Sequence, residues 1–415
     1  MLEPLPRVEL PDAQAFLEKR FGIDGDDVEY VGEGAWSRCF GFMLNGSEMV
    51  IRFGRHLDDF QRDRIAARFA ARDLPIPQVT EIDEAFGAWY CVSTRGHGTP
   101  LEQLDGSAWV EASPSVLTTL DALRRADITA TTGYGPWNHA GNAPHGSWAD
   151  FLADVTEDQP GSRTHGWKQL LSDSPRGDHG FSAGYAQMIE LAQAFPGPRS
   201  LVHNDLLNRN ALVADGRLMS LFDWGCSIYG DFVYELATIV FWSPWYPAIE
   251  QLDIATMALD HYGDMGLEVP NFNGRLRCCS LHIGLVHLGY NAFLGDLDTL
   301  RLTDERLSNF LERSLLEAHS DGSKVLNASR HVVAGVHSDR FGDTAGHHQA
   351  ARRERLSAIG QPPYEGDHRG RRVTHHRCAG RGTDHLAIAL HDHPEHAQVE
   401  ALGTPRRTAD HVPRG

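Results

Sequence analysis

One local pattern constrains this chain more than any other. Asp205 is followed five residues later by Asn210, and a short hairpin separates Asn210 from Asp223. The hairpin reads as strand 210–213, a turn at Asp215-Gly216 and strand 218–222. Asp-Gly favours a two-residue turn because both central positions tolerate positive φ. The two strands therefore return on themselves and carry Asn210 and Asp223 to the same end. A polar loop ahead of an ordinary strand is the plainer reading, but it does not account for an Asp, an Asn and a second Asp meeting within about twenty residues.

Those three residue types suit phosphoryl transfer, which asks a protein for positioning and charge neutralisation more than for covalent chemistry. Asp205 has the chemistry to orient and deprotonate an acceptor hydroxyl. Asn210 and Asp223 offer the hard oxygen ligands that Mg²⁺ prefers.

The rest of the chain is compatible with a globular enzyme. It has 415 residues, 41% of them hydrophobic, and a formal net charge of −18. Such acidity disfavours tracking a phosphate backbone, so no nucleic-acid partner is expected, and it favours cationic ligands. No apolar run approaches the ~20 residues that span a bilayer. The opening Met1-Leu2-Glu3-Pro4-Leu5-Pro6 lacks the basic and apolar regions of a secretory signal, so a cytoplasmic location and no membrane partner are expected. Six cysteines without a CxxC spacing are expected to be reduced.

Residues 1–95 read as a strand-rich unit. Strands are expected at 28–31, 39–44, 48–53, 79–82 and 88–93, with a hairpin turn at Asn45-Gly46 and a helix over 58–72 ahead of Leu74-Pro75-Ile76-Pro77. Alternation places Met49, Ile51 and Phe53 on one face of the third strand, and Val50 and Arg52 on the other. Gly96-His97-Gly98 punctuates the chain, and residues 96–320 read as mainly helical. Residues 321–415 differ, with thirteen arginines, one lysine, twelve of the 23 histidines and no tryptophan. The net charge splits into −21 before this segment and +3 within it. With little apolar periodicity, the segment is expected to be poorly ordered; a frame-shifted or read-through extension is one explanation. His391-Asp392-His393-Pro394-Glu395-His396 reads as an adventitious metal chelator, and Asn327-Ala328-Ser329 as a sequon without consequence in the cytoplasm.

His203-x-Asp205-x-x-x-x-Asn210 resembles the catalytic loop of the aminoglycoside phosphotransferase family, which is related to protein kinases. The resemblance covers about residues 10–318 and is closest to the hygromycin B phosphotransferase branch. It implies an α+β, protein-kinase-like bilobal fold, with an antiparallel-sheet N-lobe and a helical C-lobe. It implies Asp205 as catalytic base, Asn210 and Asp223 as Mg²⁺ ligands, and Asn208 within the loop as a substrate neighbour. His203, and Asp231 in Gly230-Asp231-Phe232, are implied as structural supports. For the nucleotide, ATP or GTP, it implies Ser37 in the loop Gly32-Glu33-Gly34-Ala35-Trp36-Ser37, Val50 beneath the adenine and Arg52 on the phosphates. Asp63 is the expected partner of Arg52, with Asp59 as the alternative. Backbone groups of Tyr90, Val92 and Ser93 are implied as adenine readers.

Phe241-Trp242-Ser243-Pro244-Trp245 resembles the part of that branch that lines the sugar site. Trp242 and Trp245 are expected to form a flat wall for sugar rings and amines, and Asp127 to sit beside the substrate. The implied acceptor is a cationic aminoglycoside, hygromycin B through its 4-hydroxyl in particular, and the implied state is a monomer. Two alternatives stay open: a small-metabolite or macrolide kinase of the same superfamily, and a non-catalytic pseudokinase. Retention of Asp205, Asn210 and Asp223 argues against the second.

Overall fold

A computed structural model describes residues 8–327, except Ala35 and Pro196, with side chains through residue 312. The arginine- and histidine-rich segment, its histidine cluster, Cys378 and the far end of the sequon lie outside the described residues.

The chain enters through α1 (Leu10–Phe21), opened by a reciprocal cap between Glu9 and Asp12 and closed by Gly22 in the left-handed region. Then come β1 (Glu29–Glu33), β2 (Ser37–Leu44), β3 (Ser47–Gly54), α2 (Leu57–Ala66), β4 (Val79–Ala85) and β5 (Ala88–Thr94). The strands form one antiparallel sheet in the order β1-β2-β3-β5-β4. Asn45 and Gly46 both take positive φ, 52° and 80°, as the expected hairpin turn requires. The alternation along β3 is the expected one. Met49, Ile51 and Phe53 are buried with Leu17, Phe40, Tyr90 and Val92 in the core beneath α1. Each such side chain contributes about 1.5–3 kcal/mol on burial.

The helix expected over 58–72 is shorter. It stops at Ala66 and passes through a single 3₁₀ turn, Ala67–Phe69. Leu74 and Ile76 then plug into the core of the helical lobe. Burying those two side chains outweighs continuing a helix toward two prolines.

The C-lobe runs through β6 (Thr99–Pro100), α3 (Gly106–Arg125), β7 (Gly135–Pro136), α4 (Trp148–Ala153), α5 (Trp167–Ser172), α6 (His179–Ala194), β8 (Ser200–Val202), β9 (Ala211–Ala214), β10 (Arg217–Leu221), β11 (Ile228–Gly230), α7 (Val233–Trp242), α8 (Pro247–Glu250), α9 (Ile254–Asp264), α10 (Phe272–Leu294) and α11 (Leu297–Asn327). Helix α10 is buried along most of its length and packs against α5, α6 and α7. Two small antiparallel sheets, β10-β9-β6 and β7-β11-β8, are set into this helical body. Among the described residues, no helix is long and apolar enough to cross a membrane, and the five cysteines form no disulfide.

These small sheets place the site. Strand β8 leads into the loop 203–210 and β9 leads out of it. Strand β10 leads into Asp223, and β11 follows and pairs with β8, Ile228 against Val202. The 203–210 and 222–227 segments are thus held side by side from both ends. Main-chain N–H of Phe222 donates to Asn210 O at 3.0 Å and closes the gap between them.

Candidate active site

His203 is fully buried between the two segments. One ring nitrogen, Nε2, lies 3.0 Å from Phe222 O, and Nδ1 lies 3.3 Å from the N–H of Asp205. This pattern assigns the tautomer: Nε2–H donates and Nδ1 accepts. Burial pushes its pKa down to about 4, so the neutral ring ties the loop to the Asp223 segment and moves no proton. The main-chain N–H groups of His203 and Asn204 donate to the Glu235 carboxylate on α7, at 2.6 and 3.0 Å. This anchor holds Asn204 at φ 68°, a conformation Asn adopts more readily than most residues.

Asp205 is aimed by its neighbours. Asn210 Nδ2 donates to its carboxylate at 2.9 Å and to its main-chain O at 2.8 Å, and Asn208 Nδ2 donates to the other carboxylate oxygen. Burial, then the charge of Asp223, raises the Asp205 pKa well above the carboxylate range, and the two asparagine bonds oppose the rise. Asp223 sits at φ 63°. Burial raises its pKa to about 6, against the favourable charge of Arg52 and with the added repulsion of Asp63 and Asp59.

Two desolvated carboxylates with raised pKa values suit a site completed by a cation. Among the described residues no cluster of three or more His, Cys, Asp or Glu forms a metal cage. Asp223 and Asn210 instead supply two oxygen donors. Asn210 spends its Nδ2 on Asp205, which leaves Oδ1 as the free acceptor. Such a sparse all-oxygen set fits Mg²⁺, which keeps most of its shell for water and phosphate oxygens.

Arg52 Nη2 bonds the Asp63 carboxylate, and both side chains are buried. Asp63 Oδ1 also accepts the main-chain N–H of Trp224 at 2.8 Å. The alternative partner, Asp59, is engaged elsewhere, by Arg163 at 3.0 and 3.2 Å. Helix α2 approaches the 224–226 turn closely. Arg62 donates to Gly225 O, and a Cβ on Gly225 would meet Asp59 Oδ1 at 3.0 Å.

Of the other residues expected around the nucleotide, Ser37 opens β2 and its main-chain O accepts the Gly34 N–H at 2.9 Å, closing the loop. Val50 and Ser93 are paired across β3 and β5, in register with Arg52 and Cys91 on the face opposite the α1 core. The side chains of Tyr90 and Val92 lie in the α1 core, and residues 90–93 are laddered to β3 on one side and β4 on the other. Tyr90, Val92 and Ser93 thus lie inside the sheet, between β3 and β4. The first residues past this ladder are Gly96-His97-Gly98.

On the acceptor side, Asn208 belongs to the cluster through its bond to Asp205. Trp242 and Trp245 do not form a flat wall. Their rings meet edge to face, 4.9 Å apart at 69°, because α7 ends at Trp242 and Trp245 follows in a 3₁₀ turn. Trp242 is buried against Phe241 and His287. Trp245 is half-buried and stacks on Phe241, so it is the indole with a face to offer. Asp127 opens the loop that follows α3. It is exposed, binds the main-chain N–H and hydroxyl of Thr129, and lines a separate cavity of roughly 650 Å³ with Arg68, Arg72 and Arg125. None of the residues around Asp205 borders that cavity. Asp231 is buried in a two-bond ion pair with Arg275 of α10, bracing the start of α7 away from the cluster.

Sequence reasoning missed Glu235, which lies 31–32 residues from the amides it holds. It also missed Glu102 and Tyr246, which approach the loop from β6 and α8. The apolar setting of Glu235 in Val233-Tyr234-Glu235-Leu236-Ala237 was the available signal, since an acid inside a buried run needs donors.

Comparisons with known proteins agree with this geometry. The sequence model of the phosphotransferase enzyme family matches residues 45–267. The chain is 31% identical over 301 residues to hygromycin-B 4-O-kinase of Escherichia coli, covering 71% of this chain and 82% of that protein. A thermostable mutant of aminoglycoside phosphotransferase APH(4)-Ia, in ternary complex with AMP-PNP and hygromycin B, superimposes with a TM-score of 0.63 at 28% identity, over 72% of this chain and 97% of that one. The GDP complex of aminoglycoside 2′-phosphotransferase-IIIa superimposes with a TM-score of 0.52 at 15% identity, over 74% and 99%, a likeness of fold alone.

Proposed function

The chain belongs to the phosphotransferase enzyme family, and from that premise we propose that it transfers the γ-phosphate of ATP to a hydroxyl of an aminoglycoside, hygromycin B at its 4-hydroxyl, and so confers resistance. The observation that carries the reading is the Asp205 cluster: a carboxylate aimed by Asn208 and Asn210, near enough to Asp223 to feel its charge, with Asp223 in turn under the charge of Arg52. The 31% identical relative named for hygromycin B supplies the acceptor.

In this reading Asp205 takes the proton of the acceptor hydroxyl as its oxygen bonds to the γ-phosphorus. The bond from that phosphorus to the bridging oxygen breaks, and nucleoside diphosphate leaves. Mg²⁺, held by Asp223 and Asn210, supplies charge neutralisation on the phosphate oxygens. Arg52, fixed by Asp63, offers a forked donor to the same phosphates. Asn208 holds the carboxylate of Asp205 toward the acceptor, and Glu235 keeps the loop from collapsing. Trp245 supports a sugar ring. The division of labour is an N-lobe over residues 1–95 and a C-lobe over 96–320, acting as a monomer in the cytoplasm where ATP is present.

The test is incubation of the chain with ATP, Mg²⁺ and hygromycin B, kanamycin, streptomycin or a macrolide in turn. Mass spectrometry should find one added phosphate on hygromycin B, and a host carrying the gene should survive that drug. Phosphate on the macrolide alone would move the assignment to the macrolide alternative.

A further inference from the structure

We propose that Glu102 binds an ammonium group of the acceptor at the rim of the cleft beside Asp205. The inference rests on the aminoglycoside reading above and gives that site its amine subsite.

Topology brings Glu102 there. Strand β6 pairs with β9, Thr99 against Val213 and Pro100 against Leu212. Continuing that antiparallel register sets residue 102 beside residues 209–210, at the exit of the catalytic loop. Leu101 is fully buried and fixes the short turn. The Glu102 carboxylate accepts the main-chain N–H of Arg209. Its Oε2 is nevertheless buried with no hydrogen-bond partner, the one such carboxylate oxygen among the described residues.

The other acids near the cluster are already engaged. Asp59 holds Arg163, Asp63 holds Arg52 and the Trp224 amide, and Glu235 holds two main-chain amides. The charge of Arg209 lies near Glu102, yet Oε2 remains unbonded. Tyr246 links Glu102 to the chemistry. It follows Trp245, its hydroxyl donates to Leu207 O at 3.2 Å, and it feels the charge of both Glu102 and Asp205. A desolvated anion with an orphan oxygen, near a catalytic base, suits a charged donor. An ammonium brings three N–H groups and the opposite charge. A ribose hydroxyl of the donor nucleotide brings neither the charge nor a reason to exclude a neutral amide here.

The experiment compares wild type with Glu102→Gln in the full chain, by steady-state kinetics with hygromycin B and ATP. Removing a hydrogen bond to a charged group costs about 1.5–3 kcal/mol, so KM for hygromycin B should rise roughly 10–100-fold. KM for ATP and kcat should stay within about twofold, and kcat/KM for the antibiotic should lose part of its salt dependence. An N-acetylated acceptor should not distinguish the two proteins. If Glu102→Gln does not accumulate, Glu102→Asp replaces it and should raise the acceptor KM alone. An unchanged acceptor KM, or a rise confined to the KM for ATP, overturns the proposal. Wild type that phosphorylates no aminoglycoside overturns the functional reading itself, and the amine subsite with it.

Discussion

Asp63 and Trp224 are 161 residues apart, and Oδ1 of the first accepts the main-chain N–H of the second at 2.8 Å. The other Asp63 oxygen holds Arg52. One short carboxylate on α2 thereby sets the buried arginine of β3 and the backbone turn that follows Asp223.

Asp63→Asn tests that double role. Losing the anionic partner leaves Arg52 charged and buried, a change that costs about 3–5 kcal/mol when a buried pair is broken. The melting temperature should fall, and KM for ATP should rise about tenfold or more. Calorimetry and nucleotide titration check both. Retained stability with an unchanged KM for ATP would show that Arg52 is held by other means.

A second expectation concerns pH. Asp223 titrates near 6 in the free protein because burial disfavours its charge. Below that pH it is protonated and cannot serve a cation. The kcat/KM for ATP should therefore fall on the acid side of about pH 6. Added Mg²⁺ competes with the proton, so raising its concentration should shift the acid limb to lower pH. Rate profiles at two magnesium concentrations check this, and a limb that does not move would separate Asp223 from the metal.

The two tryptophans should separate in their effects. Trp242 is a core residue, so Trp242→Ala should destabilise by about 3–5 kcal/mol. Trp245→Ala should leave the melting temperature within a few degrees and raise the acceptor KM. Thermal unfolding and kinetics on the same pair of variants decide it.

What was legible in the sequence was local or periodic. The catalytic hairpin could be read because Asp215-Gly216 fixes its turn and the spacing of Asp205, Asn210 and Asp223 is short-range. The β3 alternation could be read because a pleat repeats every two residues. Glu235, Glu102 and the Asp63–Trp224 bond join segments tens to more than a hundred residues apart, and no local pattern names their partners. In the tryptophan pair, a helix that ends at Trp242, three residues short of Trp245, turns a shared face into an edge-to-face contact.

The central claim is that Asp205 is the base. Its most direct measurement is single-turnover phosphorylation of hygromycin B by Asp205→Ala, with folding checked by circular dichroism and nucleotide affinity by titration. The rate should fall by about 10²–10⁴, the usual contribution of a positioned base, while fold and ATP affinity persist. A folded, ATP-binding variant that turns over at the wild-type rate would contradict the account.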